Sequence, residues 1–192
     1  MIYLSYCEND RTKRREYAAM LHKKSYALLK KALGYYGIHD PDIENNIEKN
    51  HYGKPYLKNI PLFFNISHCR GLAACAVHTS EIGIDAENIR EYKPGILKRV
   101  LTPGELAYFN ECENKDEIFF RLWTLKESYI KNIGMGLAFP LGNIEFDISD
   151  IRNIKSSDGG KKFGQISVGE YIVSVCVDTD SEFDAEYKFE DV

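Results

Sequence analysis

Three short apolar runs, LFFNIS, GLAACAVH and EIGIDAE, follow one another between residues 62 and 87, separated only by turn-forming residues. Runs of this length and β-branched or aromatic content, bounded in this way, predict three strands of a small antiparallel sheet. The third run also carries two acids. Alternate residues of an extended chain share a face, so Ile82, Ile84 and Ala86 should point one way and Gly83, Asp85 and Glu87 the other. The carboxylates either face water, the common fate of charges on a half-exposed strand, or form part of a divalent-metal site.

The rest of the chain surrounds this sheet with helices and further strands. Residues 2–7 read as a first strand, and Asn9 or Asp10 can cap a long amphipathic helix running to about Leu33 and ending at Gly34 or Gly37. Thr102, Pro103 and Glu105 form the signature of a capping-box helix start. A second helix is expected from about Glu117 to Ile133, closed by Gly134 and followed by the loop GMGLAFPLG. Strand-like runs return in NIEFDI, FGQIS, EYIVSVCVD and AEYKF. The order predicts an α+β fold of two similar subdomains, residues 1–95 and 96–192, each a small antiparallel sheet packed with helices.

With 192 residues and a net charge of −4, the chain can bury a sizeable core and carries no broad basic field, which argues against a nucleic-acid partner. Basic residues do crowd the N-terminal third (RTKRRE, HKK, KK), so a small anionic ligand is compatible. Cysteines at 7, 69, 75, 112 and 176 are scattered and odd in number, the usage of free thiols in a reducing cytoplasm. No apolar stretch has signal-peptide or membrane-spanning length.

A second constellation lies on the later helix. In LWTLKESYIK, Trp123, Glu127 and Lys131 stand at i, i+4 and i+8 and so share a face. Taken alone this is also the pattern of an ordinary surface Glu–Lys pair, just as NISHC could be a strand end with a capping Ser67 and a core His68, and YGKP a plain turn. The order GKP, FNISH, IGIDAE and LWTLKESYIK, spread from Gly53 to Lys131, resembles the motifs of the Sfp-type 4′-phosphopantetheinyl transferases: G-K-P, F-N-x-S-H, G-[IV]-D-x-E and W-x-x-K-E-[SA]-x-x-K.

That resemblance implies transfer of the phosphopantetheine arm of coenzyme A to a serine of an acyl or peptidyl carrier protein, with release of adenosine 3′,5′-bisphosphate, by a cytoplasmic monomer whose site lies between the subdomains. It implies Mg²⁺ held by Asp85, Glu87 and Glu127, hard oxygen ligands of the kind that ion takes. Glu127, or a water beside it, would take the serine proton. Lys126 and Lys131 would contact the diphosphate or 3′-phosphate, Ser67 and His68 the coenzyme A 3′-phosphate, and Gly53 and Lys54 the adenine side. Lys13, Arg14, Arg15, Lys23 and Lys24 cannot be assigned individually to the 3′-phosphate. Tyr92, Ile96, Leu97 and Phe109 could meet a carrier helix or be buried in the core. Two rival readings use the same residues: a Mg²⁺-dependent phosphohydrolase, and a non-catalytic module that binds coenzyme A or carriers.

Overall fold

The computed structural model describes residues 1–7, 14–179 and 185–192. In chain order the elements are β1 (Ile2–Tyr6), α1 (Arg14–Gly34), β2 (Ile47–Lys49), β3 (Pro55–Leu57), β4 (Phe63–Cys69), β5 (Leu72–His78) and β6 (Ile82–Asn88). Then follow α2 (Leu97–Val100), α3 (Pro103–Glu111), α4 (Lys115–Ile133), β7 (Phe146–Asp147), β8 (Lys155–Ser156), β9 (Lys162–Val168), β10 (Tyr171–Val177) and β11 (Tyr187–Phe189). The fold is mixed α+β, with small, largely antiparallel sheets packed by helices.

The two main sheets have strand orders β11-β1-β5-β4 and β6-β10-β9. Alternation along each strand assigns its two faces. Ile2 and Leu4 of β1 and Ala74 and Ala76 of β5 meet Ile82, Ile84, Val173 and Val175 of the second sheet. The intervening residues Tyr3, Ala73, Cys75 and Val77 pack under α1 through Leu21, Leu28 and Leu29. On the far side of the second sheet, Ile172 and Cys176 of β10 pack under α4 through Leu122, Leu125 and Tyr129. The result is four layers: helix, sheet, sheet, helix. Strands covered on both faces explain why GLAACAVH and YIVSVCV are almost uniformly apolar.

The third predicted strand belongs elsewhere than expected. β4 and β5 pair as antiparallel neighbours, but β6 pairs with β10 and so crosses to the second sheet. The chain-terminal β11 does the reverse, pairing in parallel with β1. The two sheets therefore do not divide at residues 95/96. Periodicity can assign a strand its two faces, but its hydrogen-bonding neighbour is chosen by tertiary packing.

Helix termini follow the local chemistry. The Thr102 hydroxyl accepts from Glu105 N while the Glu105 carboxylate accepts from Thr102 N, closing the capping box of α3. α4 starts two residues earlier than expected, with the Asn114 side chain accepting from Glu117 N, and ends at Gly134 in the left-handed region (φ 69°). α1 ends at Gly34, whereas its expected caps, Asn9 and Asp10, lie outside the described residues. NIEFDI shortens to the two-residue β7. Among the described residues no helix is long and apolar enough to cross a membrane.

Candidate active site

The acids of β6 do not face water. Their side of the strand lies beneath α4, and the helix comes close because Gly83 stands at the crossing. A Cβ built there would lie 2.1 Å from the Ser128 carbonyl oxygen and 2.3 Å from Asn132 N, distances only a glycine can accommodate. Asp85 is consequently buried, at 6% exposure. Lys131, one turn beyond Glu127 on α4, donates from Nζ to Asp85 Oδ1 at 2.7 Å and to Ser67 Oγ at 3.0 Å. The other oxygen, Asp85 Oδ2, is buried without a hydrogen-bond partner among the described residues.

Glu127 is different in kind. It lines a cavity of about 640 Å³ with Ile96, Arg99, Trp123, Lys131 and Phe139. Burial, aided by the charge of Asp85, raises its pKa above the ordinary glutamate range, with Lys131 opposing the shift and Glu87 adding to it. Glu87 is also raised by burial, despite the Arg90 guanidinium at 2.7 Å from its Oε2. Arg90 is itself fixed over the Phe120 ring, 4.5 Å from its centroid. The charge of Asp85 thus bears on both glutamates, and the three acids have three fates: Asp85 bonded to a lysine, Glu87 tied to an arginine, and Glu127 open to a cavity.

Among the described residues no three His, Cys, Asp or Glu side chains stand close enough together to hold a metal ion. The donor chemistry nevertheless suits a hard cation. A buried carboxylate oxygen without a partner among the described residues, beside a second carboxylate whose pKa is raised by burial and then by the neighbouring acid, is an arrangement that positive charge would relieve.

A second cavity, of about 240 Å³, shares Ile130, Lys131 and Gly136 with the first and is closed by the turn Tyr52–Pro55 and by Asn65 and Ile66 of β4. Gly53 in that turn has φ +90°, a backbone state that favours glycine. The Asn50 side chain organises the turn, accepting from Tyr52 N and Lys54 N, both at 2.9 Å. Lys131 stands where the two cavities meet.

Several residues expected to touch substrate are committed inside the protein. Lys126 is fully buried; it pairs with Glu105 at 2.8 Å, neither side chain being exposed, and donates to the carbonyls of Leu141 and Ile144. Its expected contact with a phosphate is corrected on that ground: five residues turn a helix by about 140° relative to Lys131, so Lys126 enters the core and not the groove. Lys54 pairs with Glu81 and donates to the Asn132 carbonyl at 2.7 Å, leaving mainly its stem to line the smaller cavity.

Ser67 and His68, read as joint coenzyme A contacts, occupy opposite faces of β4. Ser67 is buried at 6% exposure, whereas His68 is exposed. This rules out a core histidine. Partial burial, with the nearby Lys131 charge, lowers the His68 pKa. Of the apolar carrier candidates, Phe109 belongs to the core, at 2% exposure, whereas Tyr92, Ile96 and Leu97 are only partly buried. Sequence reasoning gave Asn65 no role, although its Oδ1 accepts from Ile84 N at 3.0 Å. The available signal was its i, i+2 relation to Ser67, which places both on the face toward β6.

Comparison with known proteins places the chain in a family. Residues 81–176 match the family model described as the 4′-phosphopantetheinyl transferase superfamily. A 4′-phosphopantetheinyl transferase of Bacillus subtilis is 35% identical over 118 residues, 60% of this chain and 52% of that protein. The L-aminoadipate-semialdehyde dehydrogenase-phosphopantetheinyl transferase of Mus musculus is 30% identical over 164 residues, covering 76% of this chain and 48% of that protein. A solved holo-(acyl-carrier-protein) synthase from Neisseria meningitidis is 16% identical, covers 52% of this chain and 98% of that chain, and superposes with a TM-score of 0.46. The chain spans about half the length of the curated relatives it matches.

Proposed function

The chain belongs to the 4′-phosphopantetheinyl transferase superfamily, and from that premise we propose that it transfers the phosphopantetheine arm of coenzyme A to a serine of an acyl or peptidyl carrier protein. The observation that carries the reading is the junction of the two cavities. There Lys131 bonds a buried Asp85 with an unpartnered oxygen, next to a Glu127 that has no hydrogen bond or ion pair among the described residues. Coenzyme A would lie along the two adjoining cavities, with the adenine side near Gly53 and Lys54 and the 3′-phosphate near His68.

In the transfer, the serine oxygen forms a new bond to the phosphorus that bears the pantetheine. The P–O bond to adenosine 3′,5′-bisphosphate breaks. Glu127, in its ionised form and made more basic by burial, accepts the serine proton. Lys131 offsets the charge that grows on the leaving phosphate. Asp85, Glu87 and Glu127, which would have to draw closer together than they stand here, would hold Mg²⁺, and the ion would supply charge neutralisation. Trp123, Phe139 and Ile130 give the cavity beside Glu127 and Lys131 an apolar wall. The enzyme would act in the cytoplasm, as a monomer.

Mass spectrometry of purified apo carriers incubated with the protein, coenzyme A and Mg²⁺ tests this. One added phosphopantetheine per carrier is the expected result. Release of adenosine 3′,5′-bisphosphate from coenzyme A without any carrier would indicate a phosphohydrolase, and binding without mass gain on any carrier a silent module.

A further inference from the structure

Helix α4 crosses all three strands of the second sheet along one stripe. Arg121, Thr124, Ser128 and Lys131 stand at spacings of three and four and so share a face. From the first to the last the helix rises about 15 Å, enough to span three strands set about 4.8 Å apart. A polar contact is made on each strand. Arg121 donates to Gln165 Oε1 at 2.7 Å and to Ser167 Oγ at 2.9 Å, both on β9. The Thr124 hydroxyl meets the Ser174 hydroxyl of β10 at 2.7 Å, and Lys131 donates to Asp85 of β6 at 2.7 Å.

The strand residues form one row across the sheet, because Asp85 is the register partner of Ser174 and Ser174 that of Gln165. Two members of the row bind the helix and the third is the acid of the site. Their bonds run in one sense. Gln165 Nε2 donates to Ser174 Oγ at 2.8 Å and to the Arg121 carbonyl at 3.0 Å. Thr124 gives its proton to the Phe120 carbonyl at 2.9 Å, which leaves Ser174 to donate to Thr124. Ser174 and Thr124 have no exposed surface, so this chain replaces apolar packing at the centre of the helix–sheet contact. Around it, Leu122 and Leu125 pack on Ile172 and Cys176. Apolar contact is non-directional and tolerates a sliding helix, whereas hydrogen bonds weaken steeply once misaligned.

We propose that Gln165, acting through Arg121, Ser174 and Thr124, is a positioning residue that fixes where α4 lies along the sheet and thereby sets Glu127 and Lys131 against Asp85 for the transfer. The inference rests on the transferase reading above. It assigns a role in catalysis to a strand that contributes no residue to either cavity at the site. Gly53, Lys54 and His68, which that reading places on coenzyme A, stand on other elements and keep their places when α4 moves.

The test compares Gln165→Met, which keeps the length of the side chain and removes its hydrogen bonds, with Gln165→Glu, which keeps an acceptor for Arg121. Steady-state transfer is measured to the carrier that the wild-type protein modifies best. Gln165→Met should lower kcat about tenfold or more while KM for coenzyme A stays within about threefold, since a misplacement of about 1 Å caused far from the chemistry can cost about 100-fold. Gln165→Glu should recover most of the rate. Combining Gln165→Met with Lys131→Ala should cost less than the product of the two single losses, because the glutamine acts through the placement of the lysine. A Gln165→Met variant that loses stability with kcat unchanged would overturn the proposal, as would a Gln165→Glu variant no more active than Gln165→Met, or losses that multiply. If Gln165→Met is insoluble, Arg121→Gln removes the guanidinium contact with β9 from the helix side and carries the same comparison. Should the wild-type protein modify no carrier, the functional reading fails but the positioning claim stays testable by crystallography. With the sheets superposed, α4 of Gln165→Met should be displaced and the 2.7 Å contact between Lys131 and Asp85 lengthened or lost. An unmoved helix with that contact intact would refute it.

Discussion

Helix α4 carries two lysine–carboxylate pairs five residues apart, and they live in different worlds. Lys126 and Glu105 are sealed, with neither side chain exposed. Lys131 and Asp85 are bonded at similar distance, but Lys131 keeps 29% of its side-chain surface exposed where two cavities meet. Both lysines sit in the same W-x-x-K-E-S-x-x-K motif, while their acids come from α3 and β6. The difference shows that a charge pair becomes a site through what it leaves unsatisfied. The Lys126 pair is closed by two carbonyls on the lysine side and by Thr102 N and Phe146 N on the glutamate side. The Asp85 pair retains one oxygen without a partner and one cation within reach of a ligand.

If the sealed pair is structural, Lys126→Met should give the largest effect on stability. It leaves Glu105 buried and uncompensated, a change that typically costs about 3–5 kcal/mol. Chemical denaturation would measure it, and transfer per folded molecule should remain within a few-fold of wild type. Adding Glu105→Gln removes the stranded charge and keeps an acceptor for one of the two amide protons, so the double variant should recover part of the loss. Failure to recover would mean that the pair is not isolated from other ionised groups.

The open pair should behave in reverse. Lys131→Ala and Asp85→Ala should each lower kcat by about 10²–10³, the range seen when one preorganised electrostatic contact is removed, with thermal midpoints changing far less than in Lys126→Met. Glu127→Gln belongs with them in its effect on rate. A smaller effect, a several-fold increase in KM for coenzyme A with kcat nearly kept, is expected for His68→Ala, as for lost uniform binding. An unchanged KM would remove His68 from the site.

The smallest effect concerns stability against pH. Glu127 has a folded pKa raised mainly by burial and the charge of Asp85. For a carboxylate this means that the fold is relieved of the charge below the unfolded value and loses that stability as pH rises through the folded pKa. Glu127→Gln should therefore melt slightly higher than wild type at neutral pH, and the difference should disappear below about pH 4, where both side chains are neutral. A constant difference across pH would show that ionisation of Glu127 costs the fold nothing.

Local chemistry in the sequence located most elements. The capping box at Thr102–Glu105 and the Gly134 terminator are short-range signals, and both hold in the structure. Gly83, Asp85 and Glu87 share the face read from alternation, which proves to be the face beneath α4. What could not be read were long-range choices. The strand EIGIDAE carries no mark that it pairs with residues 171–177 instead of its predecessor. Likewise, nothing in L-K-E-S shows that Lys126 turns toward Glu105, because that depends on where α3 packs against α4. Ser67 and His68 were grouped by adjacency, although strand geometry alone sends neighbours to opposite faces.

The most direct test of the transfer site is a double-mutant cycle on Asp85 and Glu127, with transfer rates measured for Asp85→Ala, Glu127→Gln and the pair while Mg²⁺ is titrated. If both acids serve one centre, each single variant loses orders of magnitude and needs more metal for its residual activity, and the double variant costs much less than the product of the two losses. Multiplicative losses would contradict the account, as would near-wild-type rates in both single variants or undiminished wild-type activity after exhaustive chelation.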